Sequence, residues 1–195
     1  MLFWAFFEQA GSSINLFTDR NVDRVFETAT VGEGDVGKTI QVDVTQALNG
    51  RTMGDKVVTM ADIDGWRKAK TAQVDWPVSE DDVGMGTAGS EVATSQFQAA
   101  NPIYIILFGL LFSALWAFLG KRGLEPSTPV KFGLGIGQLA LGFGALWYGA
   151  QNADMFGIVN MGWLRFAYLL ITTGELCLSP VGRAMVTNLS PKRIV

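Results

Sequence analysis

The sequence predicts an all-α membrane protein, a partial bundle of about four transmembrane helices with one long extramembrane loop that has room for a small β element. Three observations predict it. The 195-residue chain is 49% hydrophobic and 17% charged, with a mean hydropathy of +0.26, whereas a soluble domain carries about a quarter charged residues. The apolar residues are segregated: Pro102–Leu119 and Phe132–Ala150 contain no charge, and each approaches the roughly 20 residues needed to cross about 30 Å of hydrocarbon. A third apolar stretch, Arg165–Val186, carries a carboxylate, Glu175, near its middle.

In chain order, residues 1–21 read as an N-truncated membrane helix. Trp4, Glu8, Ser12, Asn15 and Asp19 fall on one face at helical spacing, opposite Leu2, Phe3, Phe6, Ala10 and Phe17. An amphipathic surface helix is the alternative. The start lacks the positive residues of a signal peptide, and both ends read as cut.

Residues 22–94 are polar, acidic and Gly-rich, and are expected to form an extracytoplasmic loop or insertion that is weakly ordered or marginally folded, and dispensable. Lys38–Thr45 alternates as a strand does, Asn49-Gly50 signals a turn, and Val57–Met60 is expected to pair back across it. Gly84–Ser90 (GMGTAGS) reads as a flexible linker.

Residues 95–120 form the second membrane helix. Asn101-Pro102 near its start allows two readings. Asn101 is the N-cap with Pro102 in the first turn, or the helix begins near Ser95, buries Asn101 and bends at Pro102. Residues 121–131 make a short basic loop, and 132–150 the third membrane helix. In it the pairs Gly133/Gly137 and Ala140/Gly144 are expected to let helix backbones approach. A turn at 151–157 leads to the last helix, 158–188, and residues 189–195 end the chain. Lys121, Arg122 and Lys131 lie on the same side as Lys192 and Arg193, which makes that side cytoplasmic and the long loop external.

Glu175 is the functional candidate. A charge at the centre of a membrane helix costs about 2.5–3.5 kcal/mol on insertion scales, so it is rare without a task. Tyr168, Thr172, Glu175 and Ser179 share one helical face, and that stripe must face other helices or water. The competing reading is a structural carboxylate satisfied by a neighbouring helix. The chain has no histidine and one cysteine, Cys177, so proton handling falls to carboxylates and no intrachain disulfide can form. Nothing in the composition points to nucleic acid, to a metal or to an enzyme.

Three stretches together resemble a known family. Phe3–Ser13 (FWAFFEQAGSS) with Asn15 and Asp19 looks like helix 7 of the proton-dependent oligopeptide transporters, a branch of the major facilitator superfamily. Phe97–Ile103 (FQAANPI) resembles helix 8. Gly174–Gly182 (GELCLSPVG), with Met185-Val-Thr and Leu189-Ser-Pro-Lys-Arg193, is similar to helix 10 and its exit.

The resemblance implies a C-terminal-half fragment of a multi-pass plasma (inner) membrane carrier for proton-coupled uptake of di- and tripeptides. Its partners would be the peptide substrate, the lipid bilayer and the missing N-terminal six-helix bundle, with the proton as coupling ion and no other cofactor. By the same resemblance Glu175 receives the peptide's ammonium group and takes part in proton coupling, and Asn101 helps hold the same end. Trp4 lines the pocket, Glu8 pairs with an arginine of the other bundle in gating, and Ser179 lies along the pocket wall. Two other functions remain open. One is a related carrier of another solute, nitrate or an amino acid. The other is a non-transporting scaffold that presents the acidic loop.

Overall fold

In the computed structural model, residues 2–189 are described, with side chains described from 4 to 178. The chain divides into two compact units. One comprises the residues up to Asn15, Ser95–Gln151 and those from Gly162 onward. The other comprises Leu16–Thr94 and Asn152–Met161.

The first unit is helical. It contains α1 (Leu2–Phe7), most of α4 (Thr94–Gln98), α5 (Ala100–Lys121), α6 (Thr128–Gln151) and nearly all of α7 (Met161–Leu189). At 1.5 Å per residue, α5 and α6 extend for about 33 and 36 Å and α7 for about 43 Å. Among the described residues, Thr94–Lys121 and Thr128–Gln151 are long and apolar enough to cross a membrane. Helix α5 buries none of its side chains, and Ile106 and Leu110 are 75% and 82% exposed.

Helices α6 and α7 pack through small residues, though not those expected. A Cβ on Gly135 would lie 2.7 Å from Leu178 Cγ and 2.9 Å from the Gly174 carbonyl oxygen, and one on Gly142 would lie 2.9 Å from Ile171 Cγ1. At Gly133, Gly137 and Gly144 a Cβ would meet nothing within 4 Å. The predicted pairs lie two residues from the true contact positions, which is about 200° around a helix and hence on the opposite side.

The expected continuous helix over 1–21 is broken. Helix α1 ends at Phe7, Glu8–Gly11 forms a single 3-10 turn, and Ser12 leaves the helical region at φ −124°, ψ −87°. Helix α2 (Ser13–Asn21) then begins. Gly11 and the two serines after it supply weak helix propensity where the break occurs.

Of the two readings of Asn101-Pro102, the structure is nearer the second, but Asn101 is half-buried and the break is at Ala99. Helix α4 begins at Thr94, Ala99 interrupts it, and α5 restarts at Ala100, so Asn101 lies in the first turn and is not the N-cap. Proline has no N–H to give to the carbonyl of Gln98, which accounts for an interruption within one turn upstream. Helix α6 begins at Thr128, not 132, so Lys131 is helical and buried. Its Nζ lies 2.5 Å from Glu125 Oε1 and 4.7 Å above the Trp116 ring.

The second unit corrects the expectation of a weakly ordered loop. Strands β1 (Val25–Thr30), β2 (Thr39–Asp43), β3 (Thr52–Met53), β4 (Lys56–Val57), β5 (Gln73–Pro77) and β6 (Gly86–Glu91) form three antiparallel pairs, β1–β6, β2–β5 and β3–β4, beside helix α3 (Met60–Lys68). Val57 pairs with Thr52 and not across to β2. Gly86–Glu91, within and beyond the expected linker, is a strand.

Val31, Val42, Leu48, Val58, Ile63, Trp76, Val78 and Met85 form a common core. The acidic residues that suggest disorder serve as caps. Asp35, Asp62 and Asp82 each accept the backbone N–H three residues earlier, from Gly32, Thr59 and Ser79, and so satisfy donors at the starts of helical turns. The connection between α6 and α7 belongs to this unit: Val22 and Val159 form a parallel bridge, with Asp23 N–H donating to the Val159 carbonyl over 2.9 Å.

Candidate functional site

Helix α7 sets Tyr168, Thr172 and Glu175 along one face by their spacing of four and three. Tyr168 and Thr172 are buried, and Glu175 is half-buried. The first turn of α5 brings Asn101 to the same place. The single hydroxyl proton of Thr172 is shared between the Tyr168 carbonyl, 2.7 Å away, and Asn101 Oδ1, 3.2 Å away. Asn101 is thereby held at its oxygen by Thr172. The Asn101 side chain lies beside the Glu175 carboxylate.

That arrangement leaves an oxygen of Glu175 without a partner among the described residues. This oxygen, Oε2, is buried, and no described cation pairs with it. A buried, unpaired carboxylate oxygen is costly. It is the natural acceptor for an ammonium group, a guanidinium or a proton.

Thr172, a member of the stripe, links Asn101 to the face of α7 that carries Glu175. Trp4 and Glu8 are not part of this cluster. Both are exposed, Trp4 with its ring 5.5 Å from Phe7, and Glu8 at the start of the 3-10 turn that breaks the helix. Ser179 lies in α7, but its side chain is outside the described residues. Sequence reasoning missed Gln138, whose Nε2 donates to Cys177 Sγ over 3.5 Å. The signal was present: Gln138 is the single amide side chain in the charge-free run 132–150, and polar side chains in membrane helices commonly bond across to a neighbouring helix.

A model of the POT family matches residues 83–195, a span that contains α5, α6, the described part of α7, Asn101 and Glu175. The chain belongs to the POT family. It is a membrane protein of a transporter family. It is 42% identical over 108 residues to "Peptide transporter YePEPT" of Yersinia enterocolitica, covering 54% of this chain and 21% of that protein. It is 43% identical over 100 residues to "Dipeptide and tripeptide permease A" of Erwinia pyrifoliae, covering 51% and 20%. It is 39% identical over 113 residues to "Uncharacterized transporter YclF" of Bacillus subtilis, covering 58% and 22%. The chain spans about a fifth of the length of the curated POT relatives it matches.

Among solved structures it resembles peptide transporter POT in complex with sulfate, with TM-score 0.59 and 24% identity over 98% of this chain and 26% of that one. It also resembles a POT family transporter in complex with a thioalcohol-conjugated peptide, with TM-score 0.54 and 21% identity over 99% and 27%. At these identities the likeness establishes the fold. The first 82 residues, with Trp4 and Glu8, lie outside the family match.

Proposed function

We propose that this chain is part of a secondary carrier that imports di- and tripeptides with protons across the plasma membrane, and that Glu175 receives the peptide's ammonium group. The observation that carries this reading is the orphaned Glu175 Oε2 beside Asn101, whose side-chain oxygen is held by the Thr172 hydroxyl. An ammonium group is the complementary partner: in a low-dielectric cavity it needs a carboxylate, and a hydrogen bond between charged groups is about twice as strong as a neutral one. The names of the relatives, a peptide transporter and a dipeptide and tripeptide permease, support the same substrate class.

The coupling follows from the same oxygen. Without substrate it must take a proton or a cation from another helix. With substrate it takes the ammonium group. Exchange among these partners biases the carrier between conformations by their different affinities for each state. Asn101 orients the carboxylate and adds a polar contact at the peptide's amino end. Trp4 and Ser179 would extend the pocket wall, and Glu8 would pair with an arginine of the N-terminal bundle during gating.

Uptake by the full-length carrier in proteoliposomes tests the reading. An inward proton gradient should drive accumulation of dialanine, and its collapse should abolish accumulation. Accumulation of nitrate or free alanine in place of the dipeptide would assign the site to another solute. Absence of any solute uptake by a correctly inserted protein would favour a scaffold.

A further inference from the structure

The second unit contains a repeat that its topology explains. Val31–Gly37 reads VGEGDVG and Val78–Gly84 reads VSEDDVG, with five of seven positions identical. Both fold alike. The leading valines are buried, at 3% and 5% exposed. The glutamate-to-aspartate segments form 3-10 turns, Glu33–Asp35 and Glu80–Asp82. The closing glycines have φ of +80° and +86°, a conformation that side chains disfavour.

The two turns also bond to each other reciprocally. Gly37 N–H donates to the Val78 carbonyl over 3.0 Å and Gly84 N–H to the Val31 carbonyl over 2.9 Å. The strands obey the same relation: β1 and β2 flank the first turn, β5 and β6 flank the second, and β1 pairs with β6 as β5 pairs with β2. The unit is thus two strand–turn–strand copies, each completed by the other. It brings the chain in along β1 and out along β6, side by side.

At that entrance sits Arg24, 2% exposed. Its Nε donates to the Thr18 carbonyl (3.0 Å) and its Nη2 to the Asp19 carbonyl (3.0 Å), both in α2, where carbonyls near the helix end lack helical partners. Its Nη1 donates to the Val92 carbonyl (2.7 Å), and Nη2 is paired with Asp19 Oδ1 (3.1 Å) and Glu91 Oε1 (2.8 Å). Asp19 Oδ1 also accepts from the hydroxyl of Thr94, the first residue of α4, over 2.9 Å. Glu91 Oε2 accepts from Arg67 Nη2 over 2.5 Å. Asp19 and Glu91 therefore surround the buried Arg24, while Asp19 and Arg67 stay partly exposed.

We propose that Arg24 is a positioning residue that, through the locked β1–β6 pair, fixes the last turn of α2 to the first turn of α4. The inference stands on this geometry and does not depend on transport. Paired spin labels at Arg20→Cys and Ala93→Cys, both exposed positions, test it in the intact chain in nanodiscs, alongside hydrogen exchange of the Val31, Gly37, Val78 and Gly84 amides.

The parent should give one narrow distance peak and slow exchange at all four amides. Arg24→Gln should lose the narrow peak while the four amides stay protected. Thr94→Val, which removes only the hydroxyl bonded to Asp19, should broaden the peak less and leave exchange unchanged. A peak that stays narrow in both variants overturns the proposal. So does broadening that appears only together with loss of amide protection, because Arg24 would then maintain the β unit and not the spacing of the helix ends.

Discussion

Thr172 is the least conspicuous member of the Glu175 cluster and the cleanest to test. Replacing it by valine keeps the shape and removes the hydroxyl shared by the Tyr168 carbonyl and Asn101 Oδ1. Leaving a buried acceptor without its donor costs about 1–3 kcal/mol. Asn101 then loses its fixed orientation, and dipeptide affinity in the full-length carrier should fall about tenfold, since 1.4 kcal/mol is a factor of ten. An unchanged affinity, read from competition uptake, would show that Asn101 orientation is immaterial.

A second residue-scale prediction concerns Asp62 in the second unit. The hydrogen bond from Lys56, then those from the Thr59 hydroxyl and backbone, lower its pKa from 3.8 to about 2. A carboxyl group whose folded pKa is depressed stabilises the fold above its unfolded pKa, and that contribution is lost as pH falls from about 4 towards 2. Asp62→Asn should therefore be less stable than the parent at pH 6, and the difference should vanish near pH 2; a constant difference in unfolding midpoint across that range would contradict the capping role. Glu175 was legible in the sequence because a carboxylate within a long apolar run is rare, and Asn101 entered through the resemblance of FQAANPI to helix 8. The stripe from Trp4 through Glu8 to Asp19 was not legible, because helical spacing assumes an unbroken helix and this one breaks at Ser12.

For the elements, the close approach of α6 to α7 rests on Gly135, Gly142 and Gly174. Gly142→Val would place its Cβ 2.9 Å from Ile171 Cγ1, and overpacking of this kind costs about 1–3 kcal/mol. Gly137→Ala, into open space, should be neutral in this chain. Thermal unfolding in detergent separates the two; equal melting temperatures would mean that α6 and α7 do not meet as described. Helix α6 is rich in glycine, so several sets of small residues share helical spacing. The sequence contains the contact set but does not choose among them, because the choice depends on which face the neighbouring helix occupies.

For the whole molecule, the helical part was legible because charge-free runs of membrane length have few alternatives. The second unit was misjudged for a physical reason. Its core draws single residues from elements far apart in sequence, with Val31 and Val42 meeting Trp76, Val78 and Met85, and its carboxylates cap turns. The repeated VGEGDVG and VSEDDVG were visible, but their meaning required the strand pairing. The expectation that residues 22–94 are dispensable loses its ground, because they form a packed unit that carries the end of α2 and the start of α4. Orientation is a separate prediction at this scale. With the basic loop cytoplasmic, a cysteine at Ser90 should be labelled by an impermeant reagent from outside intact cells and one at Ser127 should not; the reverse pattern would invert the topology.

The central claim is that Glu175 holds the amino end of the peptide. Glu175→Gln in the full-length carrier keeps the shape and removes the charge, and the lost charge-assisted hydrogen bond is worth about 1.5–3 kcal/mol. The decisive measurement is the affinity of free and N-acetylated dialanine for parent and mutant, read by competition for uptake. The account predicts that the free peptide loses more than tenfold in affinity on mutation, while the acetylated peptide, which carries no ammonium group, binds the parent poorly and changes little. An equal loss for both peptides would contradict it and make Glu175 a structural carboxylate.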